Sequence, residues 1–329
     1  MTLADSAPRR PRLAIVDIAR GVAIIAMIGY HLCWDLSYFR FLEADVGYDP
    51  QWVLIARTIL AAFLFLVGVG LVLGHGRGIR WRAFWRRWVF VVAGALIITV
   101  ATWFAFPQSF VYFGVLHAIA LFSVIALPLV RAPLLLVIVL AVVVIGLPMV
   151  FADPLFNQKL FSWLGFWEVP PPANDLVPVF PWLGAVLVGV IATRWAIGVG
   201  LDQRLARIQP QGRLPKALAF MGRWSLLIYL VHQPLLLALV YPAAAILQPE
   251  IAQRPKDFIA SCQSSCMAGG TSADMCVTYC QCGLEGVEKN DLWTAIFTGA
   301  ISPAQQAILD ANNRQCSALI YPDLNAPRP

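Results

Sequence analysis

Seven apolar runs account for most of residues 1–247, at about 13–36, 51–73, 84–105, 110–130, 133–151, 177–197 and 224–247. Each is close to the ~20 residues that a helix needs to cross a bilayer. Short polar connections separate them. After residue 247 the pattern changes, and residues 248–329 are polar with scattered cysteines. The expected fold is all-α: a polytopic bundle of about seven transmembrane helices over 1–247, followed by a small helical extension over 248–329.

The first run is the exception to the apolar rule. Asp17, Arg20, His31 and Asp35 all fall on one face of a helix over Leu13–Leu36. At about 100° per residue Asp17 and Asp35 coincide, with Arg20 and His31 within roughly 60° of them. Gly21, Ile24 and Ile28 complete the stripe. A charge at the bilayer centre costs roughly 2.5–3.5 kcal/mol on insertion scales. A one-sided stripe about 27 Å long therefore belongs against other helices or a wet cavity, away from lipid.

Composition and charge narrow the picture. The chain is 60% hydrophobic and 13% charged, which excludes a soluble domain and makes the bilayer its first partner. A pI near 9.1 does not point to nucleic acid, because the basic residues sit in loops between apolar runs. Arg9, Arg10 and Arg12 precede the first run, Arg77, Arg80, Arg82, Arg86 and Arg87 follow the second, and Arg204, Arg207, Arg213, Lys216 and Arg223 precede the seventh. The opposite loops carry Arg40 and Lys159 beside Glu43, Asp45, Asp49, Asp153, Glu168 and Asp175. The positive-inside rule then predicts a cytoplasmic N-terminus and a C-terminal tail outside. The first run is too long for the apolar part of a cleavable signal peptide, and no small-residue cleavage site comes after it.

Six of the seven cysteines lie in the tail. Cys262 and Cys266 are four apart, as are Cys276 and Cys280, so two helices turning at Gly269-Gly270 would each show one cysteine face. Nested bridges Cys262–Cys280 and Cys266–Cys276 are one of several possible pairings, with Cys282 and Cys316 left over. A metal site is the alternative, although the usual CxxC spacing is missing. Disulfides fit an oxidising compartment. Cys33, in the first run, reads as an inert thiol. Trp163, Trp167 and Trp182 read as interface aromatics.

Placed by depth, His31 and Asp35 lie in the outer third of the first run, with Arg57 and His117 about two turns in from the same side. His232 lies about two turns in from the cytoplasmic side, near Arg223 and Arg20. This predicts two polar levels joined by the stripe. An Asp one turn from a histidine can fix its tautomer and stabilise its cation, which suits general-base or covalent chemistry. Bland readings stand beside each of these. Asp17–Arg20 also fits a structural ion pair, and His117 also fits a bond to a backbone carbonyl. His232 could equally satisfy the kink at Pro234, and His75 could be a solvated loop residue.

The segments Arg12–Gly21 with Met27 and His31, Phe63–Gly68, Phe113–His117, Asp175–Gly184 and Gly222–Pro234 together resemble the heparan-alpha-glucosaminide N-acetyltransferase catalytic-domain-like family. The likeness is to its bacterial branch, within the wider transmembrane acyltransferases, and the tail lies outside it. The resemblance implies acetyl transfer from cytoplasmic acetyl-CoA, or another acyl-CoA, to an amino sugar or glycan across the membrane, with no metal. It implies a multi-pass protein of the bacterial inner membrane, for which the charge bias makes the tail periplasmic; a homo-oligomer is a further expectation. The reactive histidine of the eukaryotic branch comes after the first span; residues 37–50 contain none here, and His31 stands where that branch has an important asparagine.

On this reading His31, Asp35, His117 and Arg57 are the candidate catalytic residues, and Arg20, Arg223 and His232 are the candidate donor-binding residues. Two other classes of function fit the same features. One is a proton-coupled transporter using the stripe as a relay, although no matching half-repeats are visible. The other is a non-catalytic membrane anchor that displays the tail.

Overall fold

The computed structural model describes residues 13–321. Arg9, Arg10 and Arg12, on which part of the expected orientation rests, lie outside them. The described residues form helices α1 (Ala14–Tyr38), α2 (Pro50–His75), α3 (Trp81–Ala105), α4 (Val115–Leu129), α5 (Leu134–Gly146), α6 (Lys159–Ser162), α7 (Val179–Gly198), α8 (Leu201–Ala206), α9 (Arg213–Arg223), α10 (Ser225–Leu247), α11 (Pro249–Ala268), α12 (Ala273–Lys289), α13 (Trp293–Thr298) and α14 (Pro303–Ile320). Five of them, α1, α2, α3, α7 and α10, are long and apolar enough to cross a membrane; α4 and α5 are shorter apolar helices at the fourth and fifth expected runs. Among the described residues there is no strand, only an isolated parallel bridge between Phe113 and Leu176.

Two compact units divide the chain. The first holds the chain up to Ser37 together with Ala44–Leu239; the second holds Tyr38–Glu43 together with the chain from Val240 on.

In the first unit α2 and α7 form the centre. Leu64, Leu71, Val72, Leu183, Val186, Leu187 and Val190 join side chains of α3, α4 and α5 in one core. Two glycines let the α2 and α7 backbones touch. A Cβ at Gly68 would strike the Val186 carbonyl, and one at Gly189 would strike that of Phe65. In lipid, where apolar contact alone gives little net drive, such close approach is a main source of helix association. The helix-to-loop junctions are tied by long side chains. Arg194 donates to the Ala132 carbonyl at 2.6 Å, and Trp88 Nε1 donates to that of Ala120 at 3.0 Å. His75 is not a solvated loop residue: it is buried as the last residue of α2, its Nδ1 accepting the Arg80 N–H and its ring edge-on to Phe84.

The second unit is stapled by covalent bonds. Cys262–Cys280 and Cys266–Cys276 join α11 to α12 in the nested order, and Cys282–Cys316 joins α12 to α14. The (i, i+4) spacing within each helix makes two parallel rungs possible, because both sulfurs of a pair leave from one face. Phe258 packs on Trp293, and Arg254 lies over the Phe297 ring, tying α11 to α13. Cys33 on α1 remains a free thiol.

Candidate functional site

The stripe on α1 faces inward. Asp17, Gly21, Ile24, Met27 and Asp35 are buried, while Val22 and Ile25 on the other side are exposed. Its partner is α10. The His31 and His232 rings meet edge to face with centroids 4.9 Å apart, and Tyr30 borders His31 at 5.8 Å. One residue further on α10, Gln233 Nε2 donates to Asp35 Oδ1 at 2.6 Å. The carboxylate can only accept, so the amide must present its NH₂ group to it.

The tautomer of His232 is set by its own partner. Nδ1 lies 2.7 Å from the Tyr229 carbonyl oxygen. A carbonyl accepts and never donates, so Nδ1 carries the proton and Nε2 of the neutral ring keeps its lone pair. That Nε2 is buried and no described protein group bonds it; the same is true of Asp35 Oδ2 and Gln233 Oε1. Leaving a buried polar atom unbonded costs about 1–3 kcal/mol. Three acceptors on neighbouring side chains therefore make the α1–α10 junction complementary to a group that carries protons to donate. Chemically the junction can receive N–H or O–H donors, and it offers an imidazole nitrogen able to take one of those protons.

The placement of the other candidates differs from the expectations. Asp35 does not turn back to His31 along α1; it is held by Gln233 across the helix pair. His232 does not form a separate level with Arg20 and Arg223, because its ring meets that of His31 edge to face. Residue counting along each run missed this because it measures depth within one helix and carries no information on how α10 is placed lengthwise against α1. Gln233 carried no signal of its own beyond its position between His232 and Pro234.

His117 sits at the start of α4. Its Nδ1 accepts the Gly114 N–H at 3.2 Å, and its Nε2 lies 3.2 Å from Thr99 Oγ1. Thr99 donates its hydroxyl proton to the Val111 carbonyl at 2.7 Å, so Nε2–H is the donor to Thr99. Both ring nitrogens are used in capping α4 and tying it to α3. The Gly-x-x-His spacing is that of a capping box, which is the signal that could have revealed this role. Arg57 is exposed on α2 and makes no hydrogen bond or ion pair with the described residues.

Arg20 lies 3.5 Å from Asp17, and its guanidinium lies over Gly70 of α2, where a Cβ would approach it to 2.8 Å. Gly222 abuts the Asp17 carbonyl so closely that a Cβ would collide with it. The next residue, Arg223, is exposed. Near the start of α4, Asp175 accepts the Val115 N–H at 2.8 Å, over a Gly114 that leaves room for its carboxylate. Burial pushes the Asp175 carboxyl up to about 6, against the pull of that N–H. Among the described residues no cluster of three or more His, Cys, Asp or Glu side chains could hold a metal ion.

A family model described as heparan-alpha-glucosaminide N-acetyltransferase, catalytic, matches residues 12–234. No curated protein and no solved structure shows a significant match to the chain. The matched stretch includes His31, Asp35, His232 and Gln233 and stops before α11 and all six bridged cysteines. With most of its length inside that match, the chain belongs to the heparan-alpha-glucosaminide N-acetyltransferase catalytic family of membrane acetyltransferases.

Proposed function

We propose that the protein is a multi-pass enzyme of a bacterial inner membrane that moves an acetyl group from cytoplasmic acetyl-CoA to an amine or hydroxyl of an extracytoplasmic sugar or glycan. Residues 1–247 would be the catalytic body and 248–329 a periplasmic tail. The observation that carries this reading is the histidine pair at the α1–α10 junction, with the lone pair of His232 Nε2 buried and unbonded beside Asp35 and Gln233.

In the proposed step the acceptor lies with its N–H or O–H toward these groups. Its nitrogen or oxygen attacks the thioester carbonyl carbon, forming the new C–N or C–O bond. His232 Nε2 takes the proton released, with His31 beside it as the second imidazole. Collapse breaks the C–S bond, and the imidazolium returns its proton to the leaving thiolate. Asp35 and Gln233 orient the acceptor through the acceptor atoms that the protein leaves open. Arg20 and Arg223 hold the phosphates of the donor, for which arginine forks are suited. His117 receives no chemical role, because both its nitrogens are committed to the α4 cap. Exposed Arg57 receives none either.

The test uses purified protein in liposomes, with labelled acetyl-CoA on one side and a panel of amino sugars on the other. Label is expected on a sugar across the membrane in the wild type and is expected to be lost in His232→Ala and His31→Ala. Retention of full transfer in both variants would remove the assignment of the site. Absence of CoA turnover with every acceptor would remove the assignment of the reaction.

A further inference from the structure

The two helices that carry the site leave the first unit at their C-terminal ends and enter the second. Helix α1 crosses over at Ser37–Tyr38, half a turn past Asp35, and α10 crosses at Leu239–Val240, less than two turns past Gln233. Within the second unit these ends are held together. The Phe39 and Tyr241 rings meet at 6.0 Å. The segment after α1 is then gripped by α11. Lys256 Nζ lies 2.6 Å from Glu43 Oε1, and Asp257 lies 3.8 Å from Arg40. The ammonium of Lys256 holds the Glu43 carboxyl below its ordinary range. Arg40 takes a left-handed conformation, φ 63°, in which a side chain other than glycine's is strained unless its surroundings hold it.

We infer that the disulfide-bonded tail is a clamp that sets the register of α1 against α10 and so positions His31 and Asp35 against His232 and Gln233. The positioning residues are Phe39, Arg40 and Glu43 on the strap that follows α1 (residues 38–43), Tyr241 near the end of α10, and Lys256 and Asp257 on the tail. Both ion pairs are exposed, where water and salt screen them, so neither would hold the strap alone. The cross-links supply what they lack. Cys262–Cys280 and Cys266–Cys276 fix the C-terminal half of α11 to α12, and Cys282–Cys316 fixes α12 to α14. The gripping residues thus project from a helix whose far end cannot fray. Phe39, Arg40 and Glu43 lie inside the family match, whereas Tyr241, Lys256, Asp257 and the bridged cysteines lie beyond its end at residue 234, so the gripping half of the clamp is an addition to the shared machinery. It rests on the proposed function only for its effect on rate; its effect on helix order stands independently.

The experiment is amide hydrogen exchange on the full-length protein in lipid nanodiscs, oxidised and after reduction with a water-soluble phosphine. The phosphine becomes its oxide as each bridge becomes two thiols. Lys256→Glu and the exchanged pair Glu43→Lys with Lys256→Glu are measured beside it without reductant. Reduction is expected to speed exchange at least tenfold at 38–43 and 240–247 and severalfold at 230–236. Lys256→Glu should do so more weakly, and the exchanged pair should restore the wild-type pattern. Acetyl transfer, where the wild type supports it, should fall about tenfold on reduction, in kcat more than in KM. Unchanged exchange at both helix ends overturns the clamp, as does faster exchange at the ends that never reaches 230–236. A wild type without transfer activity would count against the proposed function alone, because the exchange results still decide the clamp.

Discussion

The α4 start and the α1–α10 junction each place a histidine among helices, and they use it in opposite ways. At His117 one nitrogen accepts from Gly114 and the other donates toward Thr99, so nothing is left over. At His232 one nitrogen is spent on the Tyr229 carbonyl, and the other is buried, basic and unbonded. A fully satisfied polar group stabilises a fold; one left half satisfied keeps a cost that only a bound partner relieves. Residue type alone did not separate these two histidines. The difference lies in which backbone groups each ring can reach.

The comparison breaks most decisively at the level of rate. His232→Gln should lower acetyl transfer by about 10²–10⁴-fold, the usual contribution of a positioned base, whereas His117→Gln should stay within a few-fold per folded molecule. Equal losses in steady-state assays of matched, monodisperse preparations would abolish the distinction. Next in size is Gln233→Leu, which strips Asp35 Oδ1 of its donor. It should cost about 1–3 kcal/mol of stability, read as a lower melting temperature in detergent, with transfer reduced as well. His117→Phe should cost about 1 kcal/mol through loss of the α4 cap and leave kcat near wild type.

The smallest effect concerns pH. Asp175 titrates near 6 in the fold, against 3.8 in the free group. Between these values the folded state holds more protons than the unfolded state, so the group's contribution to stability falls as pH rises from about 4 to about 6. Asp175→Asn keeps an acceptor for the Val115 N–H and removes the titration. Its melting temperature should therefore decline less over that range than the wild type's. An identical slope in both proteins would show that the carboxylate is better solvated than its surroundings imply.

Much of this was legible along the chain, for reasons that particular residues make clear. The inward stripe of α1 was readable because Asp17, Gly21, Ile24 and Asp35 share one helix, where spacing alone determines the face. The nested bridges were among the pairings read from spacing because Cys262/Cys266 and Cys276/Cys280 are likewise local. What failed to show was the relation between helices in the first unit. The edge-to-face contact of His31 with His232 depends on how α10 lies against α1, and the close approach of Gly222 to the Asp17 carbonyl, just before α10, is invisible in either run alone. Gln233 lay within the Gly222–Pro234 segment, but its bond to Asp35 on another helix had no local pattern to betray it. The role of His117 needed Thr99, eighteen residues away.

The touching backbones of α2 and α7 have a practical consequence for anyone watching this protein move. With Gly68 on one carbonyl and Gly189 on another, the two backbones touch at these points with no side chain between them. Their separation is set by main-chain atoms. Spectroscopic labels on their exposed faces, at Ile55 and Val188 for instance, would serve as a fixed ruler. Displacements of α1 and α10 during turnover could be read against that ruler directly.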